Sequence, residues 1–380
     1  MYQGPYCGVL LAQAGADVVK VESPDGDPLR RRDARTGAPP SFAMMNIGKR
    51  GIVIDLKSAS GRQVLVDLVG VSDVVFENFS PGVMESLGVG PAVLCAANPG
   101  LVYASGTGFG RSGPARDHRA MDITVQAWSG VMSVTGFPDG PPVKSGAAFV
   151  DFLSGTHLYA GIVTALVERE RTGRGRVVEV SMAETAYWTL MSSLAGFVRE
   201  GVAPRMGNKQ AANGMSPYDV YPTADGFVAV LCVTERHWQN LCSAMGRPEL
   251  ATDPRFDRNG RRVEAMAAVD ALVSRWTSPL SRAEVFASGQ QFGFPVAPVR
   301  DVAEVVADDH LRQRGFLVDV EHPDHGSIPL AGSPIVYEGS DRLPAALEPG
   351  HGADTGAVLA ELLGYDATTV ADLASRGAFG

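Results

Sequence analysis

An apolar helical pattern that leads directly into a β-branched run constrains the fold of this chain more than any other feature. Apolar residues recur at helical spacing between positions 158 and 169, at Leu158, Ile162, Ala165 and Leu166. This spacing predicts a buried helix. The helix is expected to end at 172–175, Thr-Gly-Arg-Gly, after a basic last turn. The β-branched run at 177–180 then predicts a strand.

Strand and helix patterns alternate along the first half of the chain. The strand patterns lie at 17–22, 48–56, 72–79 and 101–110, and the helical patterns at 8–16, 60–68 and 84–100. This alternation predicts the α/β class with a parallel, Rossmann-like sheet.

The pattern changes after Ser192. A polar, non-periodic segment at 205–215 is followed by two β runs joined around Asp225-Gly226, which predicts a hairpin. Helical patterns follow at 235–244, 262–275, 281–289 and 355–363. We predict a large Rossmann-like domain over 1–200 and a linker with a smaller α+β domain over 201–318. The C-terminal segment 319–380 is expected to return to the large domain.

Composition narrows the class of function. The chain has 42 acidic and 33 basic residues, a net charge of −9, which argues against broad nucleic-acid or anionic-membrane binding. Its four cysteines form no CxxC pair and no group with histidine, so neither a zinc site nor a disulfide framework is predicted. The sequence shows neither an apolar run of about 18 residues nor a signal-peptide pattern. We therefore expect a cytoplasmic protein without metal, nucleic-acid or membrane partners.

Common catalytic and cofactor motifs are absent or incomplete. The glycines at 108–113 match GxGxxG, but Pro114 and a polar segment follow where a dinucleotide site needs a helix. A flexible loop over a ligand is the better interpretation. The chain has no GxSxG elbow, no HExxH and no P-loop, and His157 on the predicted helix is more typical of a structural residue.

Asp151 allows two interpretations. It follows the apolar residues 147–150 and directly precedes the predicted first helical turn. An acid at this place caps unpaired backbone N–H groups, and the helix dipole is expected to keep it ionised. The same acid, on an apolar floor and among small residues, is also suited to act as a carboxylate nucleophile.

The segment 146–184, GAAFVDFLSGTHLYAGIVTALVERERTGRGRVVEVSMAE, resembles the signature of the family III CoA-transferases (formyl-CoA transferase/carnitine-CoA transferase type), within the CaiB/BaiF superfamily. Further blocks that resemble this family lie in the same order, at 4–22, 46–57, 77–82, 98–114 and 218–230. The resemblance implies a Rossmann-like large domain, a small domain and an interlocked homodimer. It implies coenzyme A and acyl-CoA as substrates, a carboxylic acid as second substrate, and no permanently bound cofactor.

The resemblance also assigns residues. Asp151 takes the place of the catalytic nucleophile, which forms an aspartyl anhydride and then an aspartyl-CoA thioester. The residues that would line the coenzyme A site are Tyr2, Gln3, Asp55, Leu56, Lys57, Asn78, Phe79, Ser80, Arg119, Met121 and Asp122. Glycine-rich segments at 106–113 and 207–214 are candidate covers that exclude water.

Two alternatives and two departures accompany this assignment. An α-methylacyl-CoA racemase of the same superfamily needs a histidine where this chain has Met121, and a thioether cannot accept a proton from carbon. A catalytically silent CoA-binding homologue is the other alternative.

The sequence departs from the family pattern in two places. The strand that usually precedes the first block is missing before Met1. Serines stand at 23 and 86 where some members have arginine, so Arg30, Arg31 or Arg50 would have to substitute.

Overall fold

The computed structural model describes residues 2–31, 39–210, 214–338 and 347–380. The chain divides into two compact units. The first contains Met1–Ser129, Gly146–Trp188 and Asp308–Gly380, and the second contains Gly130–Ser145 and Thr189–Ala307. The first unit is therefore built from three separate parts of the sequence.

The helices are α1 Gln3–Gln13, α2 Pro40–Asn46, α3 Ala59–Gly70, α4 Val83–Ser86, α5 Pro91–Ala97, α6 Asp122–Trp128, α7 Val131–Val134, α8 Phe149–Thr172, α9 Met182–Trp188, α10 Met191–Glu200, α11 Glu235–Ala244, α12 Asn259–Glu264, α13 Met266–Thr277, α14 Arg282–Phe292, α15 Val302–Val306, α16 Asp309–Gln313, α17 Thr355–Leu363 and α18 Ala367–Ser375. The strands are β1 Val19–Glu22, β2 Arg50–Val53, β3 Val74–Glu77, β4 Val102–Thr107, β5 Val177–Ser181, β6 Tyr218–Thr223, β7 Gly226–Leu231, β8 Val296–Pro298, β9 Leu317–His322 and β10 Gly326–Ala331.

The parallel strands of the first unit form two sheets. β1 pairs with β2, and β4 lies between β3 and β5. All three pairings are parallel, so the predicted α/β class with parallel sheets is confirmed. All six residues of β4 are buried, as expected for the middle strand of a parallel sheet that is covered on both faces. β9 and β10 form a separate antiparallel hairpin.

Helix α8 is the central helix of the first unit. It packs on α1, β4 and β5, and its Leu158 and Ile162 lie in a core cluster with Cys7 and Ala104. It ends where Gly173 adopts a φ of 66°, a left-handed conformation that glycine takes without strain. Among the described helices, α8 alone is long and apolar enough to cross a membrane, but core helices of soluble proteins pass the same test.

The second unit has its own core. β7 pairs with β6 and with β8 in an antiparallel sheet, and the hairpin predicted around Asp225-Gly226 is confirmed. Trp238 of α11 and Val273 of α13 are buried in its hydrophobic cluster. The C-terminal residues belong to the first unit, where Val358 and Leu373 pack with Ile52 of β2.

Candidate active site

Asp151 lies inside the first turn of α8. The helix begins at Phe149, so Asp151 is its third residue. The sequence pattern had instead placed Asp151 just before the helix. The residue is only 8% exposed. Asp151 is therefore not the cap of this helix, and the first of the two interpretations from sequence is wrong.

The cap of α8 is supplied by another helix. Asp122, the first residue of α6, accepts hydrogen bonds with Oδ2 from the backbone N–H groups of Val150 (3.0 Å) and Asp151 (3.2 Å). Its Oδ1 accepts from Nε2 of Gln126 at 2.6 Å. The Asp122 side chain thus satisfies N–H groups that a helix start otherwise leaves unpaired. This arrangement places a second carboxylate, that of Asp122, next to Asp151.

The start of α1 meets the start of α8 at the same point. The backbone N–H of Gln3, the first residue of α1, donates a hydrogen bond to the Asp151 carboxylate. Beside this contact, the Phe152 ring stacks on Tyr2 with centroids 5.8 Å apart and meets Tyr6 edge-on at 4.9 Å. Asp151 therefore lies where two helix N-termini converge, next to an aromatic wall.

The pKa of Asp151 is raised. Burial is the main cause, because it disfavours the charged form, and the negative charge of Asp122 acts in the same direction. The hydrogen bond from the Gln3 N–H opposes both but does not outweigh them. The sequence-based expectation was that backbone N–H groups and the helix dipole keep this acid ionised. In the folded unit, burial and the like charge of Asp122 act against these groups and set the direction of the pKa shift.

The Gln3 side chain is enclosed at the end of β4. It is 2% exposed, and a Cβ added to Gly106 would lie 2.8 Å from its carboxamide carbon. Its Nε2 has no hydrogen-bond partner among the residues that the structure describes. A buried donor without a partner is costly, so this one needs an explanation.

The segments that the resemblance assigned to coenzyme A lie at the ends of strands. Asn78 packs on Gly4 of α1, and Phe79 is half-exposed. Glu77, which was not among the predicted site residues, holds this segment: its carboxylate accepts from the Phe79 N–H at 2.7 Å and from the Tyr103 hydroxyl at 3.3 Å. Burial raises the pKa of Glu77.

The turn after β2 is organised separately. The Lys57 N–H donates to Oδ1 of Asp55 at 2.9 Å, and the Asp55 N–H donates to the carbonyl of Ala378. The Lys57 side chain is exposed. Arg119 and Met121 are exposed in the segment before α6. Within the described ranges, no hydrogen bond joins residues 55–57 to Asp151.

Two of the three arginines expected to replace missing phosphate contacts are already paired. The Arg30 guanidinium bonds to Glu22 at 2.8 Å and lies 4.1 Å from the Phe42 ring centroid. Arg50 forms ion pairs with Asp17 and Glu361. Arg31 is exposed.

Comparisons with known proteins identify the family. The model of CoA-transferase family III matches residues 1–355. The acetyl-CoA:oxalate CoA-transferase of Acetobacter aceti is 36% identical over 342 residues, 89% of this chain and 86% of that protein. The succinyl-CoA–D-citramalate CoA-transferase of Chloroflexus aurantiacus is 36% identical over 337 residues, which are 86% of this chain and 82% of that protein. A CaiB/BaiF family protein from Brucella suis superimposes with a TM-score of 0.83 at 33% identity, over 95% of this chain and 96% of that one.

The chain belongs to CoA-transferase family III.

This membership confirms the resemblance and the prediction of a CoA-transferase enzyme. In this family III CoA-transferase, the sequence predicted Asp151 as the nucleophile but did not show that Asp122 caps α8, because the cap comes from a residue nearly 30 positions away. The described residues contain no group of three or more His, Cys, Asp or Glu side chains that could hold a metal ion.

Proposed function

We propose that this protein transfers coenzyme A from an acyl-CoA donor to a carboxylic acid acceptor through a covalent intermediate on Asp151. A carboxylate oxygen of Asp151 attacks the thioester carbon, and the C–S bond breaks to give an acyl-aspartyl anhydride and coenzyme A thiolate. The thiolate then attacks the Asp151 carbonyl, which gives an aspartyl-CoA thioester and the free donor acid. The acceptor carboxylate reverses these two steps, so the energy of the thioester is conserved.

The single observation that carries this proposal is the burial of Asp151 without a cationic side chain bonded to it. The residue is 8% exposed and its carboxylate accepts from the Gln3 N–H, while the charged side chain that affects its pKa is another acid, Asp122. A desolvated carboxylate is a better nucleophile than a hydrated one. A structural acid is normally paired instead, so this environment favours a chemical role.

The substrates follow from the family and from the chemistry of the residues around the site. We infer that coenzyme A lies along Tyr2, Gln3, Asp55, Leu56, Lys57, Asn78, Phe79, Ser80, Arg119, Met121 and Asp122, and that no cofactor is permanently bound. The exposed Lys57 ammonium suits a phosphate. Backbone groups at 78–79 suit the amides of the pantetheine arm. Asp122 differs from the other residues of this set, because both oxygens of its side chain already accept hydrogen bonds from this chain.

We further propose an interlocked homodimer. Only 33% of the most apolar 18-residue stretch of α8 is buried within one chain. Val167 on this helix is 53% exposed, and Trp188 at the end of α9 is 67% exposed. Apolar area of this kind favours burial against a second copy. Light scattering after gel filtration is expected to give twice the 40.0 kDa chain mass, and a monomer would contradict the proposal.

The chemistry is tested by trapping the intermediate. Native protein and Asp151→Ala are incubated with acetyl-CoA or succinyl-CoA, quenched with hydroxylamine or borohydride, and weighed intact. We expect a modification that peptide mapping assigns to Asp151 and that the variant lacks.

Two other outcomes are informative. Proton exchange at the α-carbon of an acyl-CoA in deuterated water, without any adduct, would indicate racemase-type chemistry. Tight binding of acyl-CoA with neither adduct nor exchange would indicate a catalytically silent homologue.

A further inference from the structure

The Gln3 carboxamide, next to Asp151, has incomplete hydrogen bonding within the part of the chain that the structure describes. The residue is 2% exposed, and its Nε2 has no hydrogen-bond partner in the described part of the chain. Native proteins rarely leave a buried donor unpaired, because its desolvation is not compensated. The missing partner is therefore expected to arrive with a ligand.

The surrounding backbone makes room for this side chain. A Cβ at Gly106 would lie 2.8 to 2.9 Å from three atoms of the Gln3 side chain, and a Cβ at Gly155 would lie 2.6 Å from the Gln3 carbonyl oxygen. Gly106 belongs to the buried strand β4, and Gly155 lies one turn beyond Asp151 on α8. Two glycines thus allow the close approach of a residue that carries an unpaired donor.

Gln3 is also tied to the nucleophile through its own backbone. Its N–H donates to the Asp151 carboxylate, while its side chain lies against the last part of β4. It is the first residue of α1, an 11-residue helix, so the positive end of this helix dipole is at the same place. The Gln3 backbone N–H can therefore bind the Asp151 carboxylate while the Gln3 carboxamide remains free to bind the group that Asp151 attacks.

We propose that Gln3 is a catalytic residue whose Nε2 donates a hydrogen bond to the substrate carbonyl oxygen that Asp151 attacks. This assignment rests on the proposed function. As the Asp151 oxygen bonds to the carbonyl carbon, the π electrons of that carbonyl move to its oxygen, which becomes an oxyanion. Gln3 holds this oxygen without transferring a proton. When the C–S bond breaks, the electron pair returns to the carbonyl and the thiolate leaves.

A preorganised donor acts most strongly when charge develops on its acceptor. Gln3 is held by its place at the start of α1, by the Asp151 contact and by Gly106, so the position of its donor is restricted before the substrate binds. Its effect is expected on kcat more than on KM, since the oxygen carries full negative charge only in the transition state and intermediate. A side chain that only fills space would affect folding instead.

The test compares two equivalent substitutions on one helix. Gln3→Met keeps the approximate volume and removes the donor. Gln13→Met makes the same change at the last residue of α1, where Nε2 donates to the Ala331 carbonyl at 3.3 Å. Steady-state transfer is measured from acetyl-CoA and succinyl-CoA to oxalate, succinate, glutarate and mesaconate. Thermal unfolding of each variant is measured in parallel.

We expect Gln3→Met to lower kcat by about 100-fold, with KM changed by less than about 3-fold. Its Tm should be equal to or above that of the native protein, because an unpaired buried donor has been removed. Gln13→Met should keep the native kcat. Should Gln3→Met not fold, Gln3→Leu is measured in the same way.

Three outcomes overturn the assignment. Native kcat in Gln3→Met, with turnover that still depends on Asp151, would overturn the role of Gln3 and leave the proposed function intact. A loss of activity that accompanies a lower Tm and is shared by Gln13→Met would make the residue structural. Absence of transfer by native protein with every pair, together with absence of an Asp151 adduct, would overturn the proposed function as well.

Discussion

Two buried carboxylates in the first unit have opposite environments. Glu22, at the end of β1, is 4% exposed, and Asp151 is 8% exposed. Burial would raise the pKa of Glu22, but the Arg30 guanidinium, the Asp27 N–H and the Lys20 ammonium outweigh burial and lower it. Burial raises the pKa of Asp151, and Asp122 adds a like charge where Glu22 has cations.

The difference separates a structural acid from a reactive one. Glu22 is held by Arg30 through hydrogen bonds of 2.8 and 3.2 Å and by the Asp27 N–H at 2.9 Å, so its oxygens are occupied. Asp151 accepts a backbone N–H and has no salt bridge in the described residues. A buried carboxylate costs free energy that only its partners offset. The first therefore stabilises the fold, while the second lowers stability and remains chemically accessible.

The largest expected effect is on catalysis. Asp151→Asn should reduce CoA transfer by about 1,000-fold or more, because an amide cannot form the anhydride. Release of the radiolabelled donor acid from its acyl-CoA, in the presence of an acceptor acid, measures this loss. Glu22→Gln, the matched change at the other buried acid, should keep kcat in the folded protein. Equal loss in both variants would remove the distinction between the two acids.

The second effect is on stability. Glu22→Gln should lower the free energy of unfolding by about 3 kcal/mol, because it leaves the Arg30 charge uncompensated beside Phe42. Urea unfolding at neutral pH measures this change. The double variant Glu22→Leu with Arg30→Met should recover most of the loss. Additive losses would contradict the coupling.

A smaller effect is expected at the cap of α8. Asp122→Ala should lower the free energy of unfolding by about 1 kcal/mol, since the Val150 and Asp151 N–H groups lose their acceptor. Asp122→Asn keeps an acceptor oxygen and should lose less. It also removes the like charge, so the midpoint pH of Asp151 adduct formation should fall. An unchanged midpoint would show that burial alone sets the pKa of Asp151.

The smallest effect is the pH dependence of stability at Asp151. Because the pKa of this acid is raised on folding, the folded state binds its proton more tightly than the unfolded state does. Its ionisation therefore costs stability above the folded pKa, and the cost disappears as pH falls below the unfolded value, about 3.9. Asp151→Asn should have a higher Tm than native protein at pH 7, and the gap should close toward pH 4. A gap that widens in acid would contradict this sign.

Much of the secondary structure was predictable because local patterns and packing agree. α11 and α17 have the predicted ends, 235–244 and 355–363. α8 begins at Phe149, whereas the sequence pattern placed its first turn directly after Asp151. Ser154 and Gly155 interrupt the apolar pattern there, but packing against α1 keeps this part helical and buried. Strand β8, only three residues long with a proline, gave no usable pattern.

A candidate nucleophile could be predicted from the sequence, but the environment of that residue could not. The motif around Asp151 indicated the nucleophile, whereas its pKa depends on Asp122 and Gln3, which are distant in sequence. No local pattern shows that α6 caps α8 or that Gly106 accommodates Gln3. Such contacts arise only when separate elements meet in the folded unit. The same holds for Arg30 and Arg50, which the sequence analysis considered as replacements for missing arginines. Their guanidinium groups form ion pairs with Glu22 and Asp17.

The C-terminal helices have a consequence for biosynthesis. The cluster that covers β2 joins Ile52 to Val358 and Leu373, and the Asp55 N–H is bonded to the Ala378 carbonyl. More than 300 residues are synthesised between the two halves of this cluster, which at 5–20 residues per second takes roughly 15 to 60 s. The turn that precedes Lys57 therefore cannot reach its final form on a ribosome that has not released the last helices. This part of the first unit is therefore completed only after the last helices have been synthesised, and a chaperone that shields exposed β2 should raise the yield of active enzyme.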